Sequence, residues 1–220
     1  MNGLLDHDRI IALAYAKSRF RSSFEALLML DATLGNAVRA ARDPLLGQIR
    51  LAWWRDELER VPTLLTTADP VLRAIRAIIA RHDVIQGMCL AMVNGWEILL
   101  SDWPPEDDRL TEFGKLRGGN LFAAAGVLTG AGTAEVLVAS GSAWALRDLS
   151  FHCSDKEVAK RASELATQKS NSTRRFPLEM RPFHILARLA EQDSLVPRGR
   201  SKVGSPFRVL QALGIVFLRR

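Results

Sequence analysis

Apolar residues along this chain recur at intervals of three and four, and the alternation that marks a half-buried strand is almost absent. Val71, Ile75, Ile78 and Ile79 share one helical face. Asp69-Pro70 in front of them supplies an N-cap and a proline at N1, where its missing N–H costs nothing. A short opening helix is predicted over 8–17, carrying Ile10, Ile11, Leu13 and Ala14. The capping-box order Ser22-Ser23-Phe24-Glu25 predicts a second helix to about residue 42, with Gly35 a weak point inside it. Further helices are predicted over 85–100, stopped by Asp102-Trp103-Pro104-Pro105, and over 108–130 and 133–152. A second capping box, Ser154-Asp155-Lys156-Glu157, opens one to about 168; Arg181-Pro182 and Ser205-Pro206 open the last two. About ten helices without a convincing strand make an all-α helical bundle. One domain over 1–220 is expected, because the polar connection 169–180 leaves only about 40 residues beyond it. Residues 193–205, rich in Gly, Pro and Arg, are expected to be a flexible connection to the final helix.

The helix predicted over 44–59 is the most distinctive. Asp43 caps it, Pro44 fits N1, and no proline follows before Pro62. Wound at 100° per residue, its apolar side chains form two stripes: Leu45, Ile49, Ala52 and Trp53, then Leu51, Trp54, Leu58 and Val61. Two apolar faces predict a helix sandwiched between neighbours. Arg50 falls between the stripes, where a guanidinium needs an acid, a carbonyl, an anionic ligand or an aromatic face. Arg50, Trp53, Trp54 and Arg55 are therefore candidates to line a cavity and contact a ligand. The plainer alternative fills the core with the tryptophans and pairs Arg55 with Glu59, and Asp56 with Arg60.

Composition narrows the partners. Hydrophobic residues make up 48% and charged ones 25%, with a formal charge of +6 and a pI near 9.9. The basic balance favours diphosphates, acidic headgroups or nucleic acid. Nucleic acid is set aside: there is one Tyr, no aromatic–basic alternation and no binding motif. Cys89 and Cys153 lie beside apolar residues and read as buried free thiols of a reducing compartment. The four histidines are scattered without metal-ligand spacing. The opening MNGLLDHDRI is not a signal peptide, so a cytoplasmic location is expected, peripheral to membrane if the Arg-rich 174–208 touches lipid or a partner. From 121 to 146 only Glu135 is charged, but Thr129-Gly130-Ala131-Gly132-Thr133 breaks the run short of the ~20 residues a span requires. Gly114, Gly118 and Gly126 share a small-residue face suited to close helix packing.

The residues Leu46-Gly47-Gln48-Ile49-Arg50-Leu51-Ala52-Trp53-Trp54-Arg55-Asp56-Glu57-Leu58 resemble a helix of the squalene/phytoene synthase superfamily. They are especially similar to an aspartate-poor branch that includes a mitochondrial complex I assembly factor. Other stretches agree in order. Residues 21–30 resemble the family's Arg … Ala-Leu-Tyr-Ala-Phe helix, 117–125 its small-residue helix, and Gly141-Ser142-Ala143-Trp144-Ala145-Leu146 the Gly-x-Ala helix after it. The resemblance spans roughly 8–190 and implies an isoprenoid-synthase-like bundle.

In active members two Asp-x-x-x-Asp motifs face each other across an apolar cavity and hold Mg²⁺ on a prenyl diphosphate. Here one alignment puts Gly35 and Arg39 at the first pair; anchoring on Asp31 leaves Gly35 as its partner. Counting from Gly141 puts His152 and Lys156 at the second pair, while Arg147-Asp148 matches the family's Arg-Asp one turn early. No alignment restores two carboxylates. Asp31 and Asp148 are the nearest catalytic candidates, and neither is assigned that role outright. The resemblance implies ligand contacts from Arg39, Arg117, Asn120 and His152 beside those of the Trp helix. Asp148 and His152 read as a helix-packing pair or as a polar cluster at a cavity floor. The function implied is a family protein that has lost Mg-dependent prenyl transfer and binds an isoprenoid or lipid-like ligand, or assists assembly of a partner. The alternatives are an atypical head-to-head prenyl transferase with relocated acids, and a helical interaction module with a filled interior. No cofactor is expected, Mg²⁺ excepted under the transferase alternative.

Overall fold

A computed structural model of the chain describes residues 4–41, 43–60, 67–169, 176–195 and 206–217. Among the described residues there are eleven α-helices and no strand. They are α1 (His7–Ala14), α2 (Ser18–Arg39), α3 (Pro44–Glu59), α4 (Pro70–Ile79), α5 (Val84–Glu97), α6 (Asp107–Gly114), α7 (Asn120–Thr129), α8 (Glu135–His152), α9 (Lys156–Lys169), α10 (Arg181–Leu195) and α11 (Pro206–Phe217). A turn of π-helix, Lys115–Gly119, joins α6 to α7. The expectation of a flexible connection over 193–205 falls on residues outside those described from 196 on; up to Leu195 the chain continues α10.

The predicted caps hold where an aspartate precedes proline: Asp43 accepts from Leu45 N (2.9 Å) and Asp69 from Leu72 N (2.8 Å). Both capping boxes are corrected. Ser22 and Glu25 lie inside α2, which starts four residues earlier, and Asp155 rather than Ser154 caps α9 by accepting from Glu157 N and Val158 N. In α1, Asp6 accepts from Arg9 N at 2.9 Å.

α2 lies against α1, α3, α4, α5 and α7, and its Phe24, Leu27, Leu28, Leu30 and Leu34 are fully buried. α8 lies against the π turn, α6, α7, α9 and α10. Between them Phe24 and Phe122 both meet Phe183 edge to face with ring centres 5.1 Å apart, so aromatic rings fill this part of the interior. The apolar run over 121–146 divides into α7 and α8 at a turn where Gly130 takes φ +78°, a conformation open to glycine. No helix among the described residues is long and apolar enough to cross a membrane.

The expected sandwiching of the Trp helix is overturned. α3 packs on α2, α4 and α5 through Gly47, Leu51, Trp54 and Leu58, so Trp54 is 4% exposed. Its other stripe faces outward: Leu45, Ile49 and Trp53 are exposed, Trp53 by 46%. With only one side of the helix covered, Arg50 stands in solvent and needs no buried partner. The expected i,i+4 pairs are replaced too. Arg55 reaches across to α5, to Glu97 (2.5 Å) and Asn94 (3.0 Å), and Arg60 bonds Glu57 (3.2 Å).

Candidate functional site

The interior of α2 carries one carboxylate among its leucines. Asp31 is 0% exposed, and donors surround it. Its Oδ1 accepts from Arg117 Nε (2.8 Å) and Trp96 Nε1 (3.0 Å); its Oδ2 accepts from Arg9 Nη2 (2.9 Å) and Arg117 Nη2 (3.0 Å). The forked contact from Arg117 is the planar geometry that guanidinium and carboxylate share. Arg117 Nη2 also donates to Asp148 Oδ2 at 2.6 Å, and Arg9 Nη2 lies 3.9 Å from the same oxygen. One guanidinium thus bridges the two acids on α2 and α8.

Local structure delivers each partner. Arg9 stands in the first turn of α1, where its guanidinium also pairs with the cap residue Asp6. Arg117 lies in the π turn, and α8 comes very close there. A Cβ on Gly118 would stand 2.0 Å from the Gly141 oxygen, and one on Gly141 2.1 Å from the Gly118 oxygen. Only glycine at both places allows that approach, which brings Asp148, seven residues along α8, towards Arg117. The small-residue face expected over 108–130 is thereby a helix-packing face. Aromatic rings complete the arginine's surroundings: its guanidinium carbon lies 4.1 Å from the centre of Trp96 and 5.0 Å from that of Trp144.

The charges are strongly interdependent. Burial pushes the Asp31 carboxyl up, but Arg117, by charge and hydrogen bond, and then Arg9 hold it below the usual carboxylate range. Burial opposes the charge of Asp148 as well, and Arg117, Arg9 and His152 outweigh it and hold that carboxyl well below its ordinary value. Arg9 and Arg117 are raised in turn, the acids overcoming burial. Asp31 and Asp148 are therefore carboxylates and acceptors, with no proton to give.

Beside this cluster lies a cavity of about 270 Å³. Asp31, Arg9, Arg39, Trp96, Arg117 and Asp148 are among its walls, and His152 joins them. His152 Nδ1 is 2.7 Å from the Asp148 backbone oxygen and 3.4 Å from its Oδ1. Of the two readings of Asp148 and His152, the structure thus places both at a cavity wall. Arg39 comes from an exposed position near the end of α2, its guanidinium carbon 5.9 Å from the centre of Trp96.

The residues singled out from sequence therefore divide. Asp31, Arg39, Arg117, Asp148 and His152 meet at one cavity. Arg50 and Trp53 stand exposed on α3, Trp54 fills the core and Arg55 pairs with Glu97, so the Trp helix supplies none of the residues named in this wall. Asn120 turns its amide back to the carbonyls of Lys115 (3.2 Å) and Leu116 (3.0 Å) in the π turn. Lys156 lies exposed at the start of α9. Arg9, Asp6, Trp96 and Trp144 were missed. The first two lie in a short charged stretch without a motif, and Trp96 reads as one more apolar residue of α5.

A second buried cluster ties the chain's distant parts together. Arg208 on α11, 2% exposed, donates to both oxygens of Asp8 on α1 (2.8 and 2.6 Å) and both of Asp193 on α10 (2.5 and 2.8 Å). Sequence counted Arg208 in a basic stretch open to membrane or partner; its side chain is instead enclosed by acids. The rest of that stretch is only partly among the described residues. Both thiols are free, and burial pushes that of Cys89 up to about 12.

A family model described as squalene/phytoene synthase matches residues 5–114, half of the chain. The match takes in Arg9, Asp31, Arg39 and Trp96 and ends before Arg117 and Asp148. No curated protein and no solved structure matches the chain.

Proposed function

The chain belongs to the squalene/phytoene synthase family, and from that premise we propose that it has lost Mg-dependent prenyl transfer and works as a binding protein. The observation that carries this reading is the pair of guanidiniums lodged against Asp31 and Asp148. Transfer from a prenyl diphosphate needs metal to neutralise the leaving group, and Mg²⁺ takes oxygen ligands in near-octahedral array. The residues do not fit that ion. Both Asp31 oxygens are occupied by Arg9, Arg117 and Trp96 within a fully buried position. One turn on from Asp31 stands Gly35, and one turn on from Asp148 stands His152. A side chain at position 35 has no room: its Cβ would meet two carbons of the Trp96 ring at 2.8 Å.

The ligand class in keeping with the family and with these walls is isoprenoid or lipid-like, with an anionic end. An assembly or interaction role at a partner protein is a second reading, favoured by the exposed Leu45, Leu46, Ile49 and Trp53 on α3. The lipid-peripheral, cytoplasmic setting expected from sequence goes with either. The test of the main reading is release of pyrophosphate from farnesyl or geranylgeranyl diphosphate in the presence of Mg²⁺. No release above the protein-free rate is expected. Release that depends on both Mg²⁺ and Asp31 would overturn the reading in favour of an atypical transferase.

A further inference from the structure

The outward stripe of α3 is symmetric about its middle. With Ile49 as the centre, Leu45 stands four residues before and Trp53 four after; Leu46 stands three before and Ala52 three after. All five are exposed, and Arg50, 100° round the helix from Ile49, falls at the margin of the stripe. The Trp53 ring is set edge-on against the buried Trp54 with ring centres 5.2 Å apart, so it is held in place before any partner arrives. A contiguous apolar stripe anchored by a tryptophan marks an interaction surface. Asp56 and Glu59, exposed further along the same helix, oppose an acidic lipid surface.

We propose that this face docks a second copy of the chain, the two α3 helices packing antiparallel across a two-fold axis at Ile49. A stripe that reads alike from either end fits an identical helix running the other way. That pairing sets Leu45 level with Trp53 of the second copy and Leu46 level with its Ala52, large against small. Beyond the stripe, Asp43 six residues before Ile49 comes level with Arg55 six after, so unlike charges meet at each end. Arg55 already holds Glu97, so this contact fixes register more than strength. Four half-exposed large side chains on a 16-residue helix fall short of the ~800 Å² per partner of a standard interface. The dimer is therefore weak and forms only as concentration rises. It stands independently of the loss of prenyl transfer, and pyrophosphate release has no bearing on it.

Sedimentation equilibrium of the full chain over a range of concentrations, at constant ionic strength, tests the inference. The mass is expected to rise from the 24.4 kDa of one chain towards twice that. Ile49→Lys, at a position 57% exposed, is expected to keep the melting temperature of the dilute chain. It places two like charges at the axis and weakens association about a hundredfold or more. Ile49→Glu alone does the same, whereas an equal mixture of the two variants associates again, one of each, because unlike charges then meet. Trp53→Ala weakens association about tenfold or more. A wild type still of single-chain mass at about 1 mM, association untouched by Ile49→Lys, or a mixture that stays monomeric would overturn the proposal. So would a monomeric wild type that binds phosphatidylcholine or phosphatidylglycerol vesicles and loses them in Ile49→Lys, since the face would then meet lipid.

Discussion

Two buried arginines, Arg117 and Arg208, sit in similar company and do different things. Each bridges two aspartates from different helices, and each is almost wholly enclosed. Arg208 has a carboxylate oxygen for every nitrogen of its fork, with Gln211 Oε1 a further 3.4 Å acceptor. Arg117 shares its acids with Arg9, keeps one buried nitrogen without a partner, and borders the larger void. The first arrangement is closed and holds α1, α10 and α11 together. The second leaves single buried nitrogens of Arg117 and Arg9 without a partner. Two clusters alike in composition thus differ in how completely their donors are met and in the space beside them.

The largest effect is expected at Asp31. Asp31→Ala leaves two buried guanidiniums without their shared counter-charge, a loss of about 3–5 kcal/mol in denaturant unfolding. A loss below about 1 kcal/mol would mean that Arg9 and Arg117 are solvated and the cluster open. Arg208→Gln should cost less, about 2–3 kcal/mol, because the glutamine amide keeps part of the donation that Asp8 and Asp193 receive. Hydrogen exchange should quicken in α1, α10 and α11 and stay unchanged in α3. Uniform quickening would show that the second cluster is not a local clamp.

Acid separates the clusters more finely. The Asp31 and Asp148 carboxyls lie below their unfolded values, so their stabilisation is complete above the ordinary carboxylate range and is lost as pH falls through the folded values. Asp148→Asn should therefore flatten the decline of stability below about pH 4. An unaltered slope would place the acid sensitivity elsewhere. Smallest of all is Arg50→Ala, expected to move stability by no more than about 0.5 kcal/mol, since this arginine lies outside both clusters.

Sequence pattern reveals the helices well and their neighbours poorly. Asp-Pro caps, the glycine turn after α7 and the face shared by Val71, Ile75, Ile78 and Ile79 are local, so spacing alone identifies them. Whether the second stripe of α3 is covered depends on a helix that arrives from elsewhere, and none among the described residues covers Trp53 or Ile49. The capping boxes failed for a related reason: tertiary packing extends α2 backwards through Ser22, overriding its local preference. At the site, Asp31, Asp148, Arg39, Arg117 and His152 were found through their place in a family pattern. Arg9 escaped because its role comes from the fold, which carries α1 to a carboxylate 22 residues further along.

Arg9 and Arg117 occupy the oxygens of Asp31, and Arg117 also holds Asp148, so neither acid is open to a metal ion. The decisive measurement is titration with Mn²⁺ as a spin-active stand-in for Mg²⁺, with and without pyrophosphate. The resonance of free Mn²⁺ is expected to keep its full intensity as protein is added. A bound-ion signal that appears with the wild type and disappears in Asp148→Asn would contradict it.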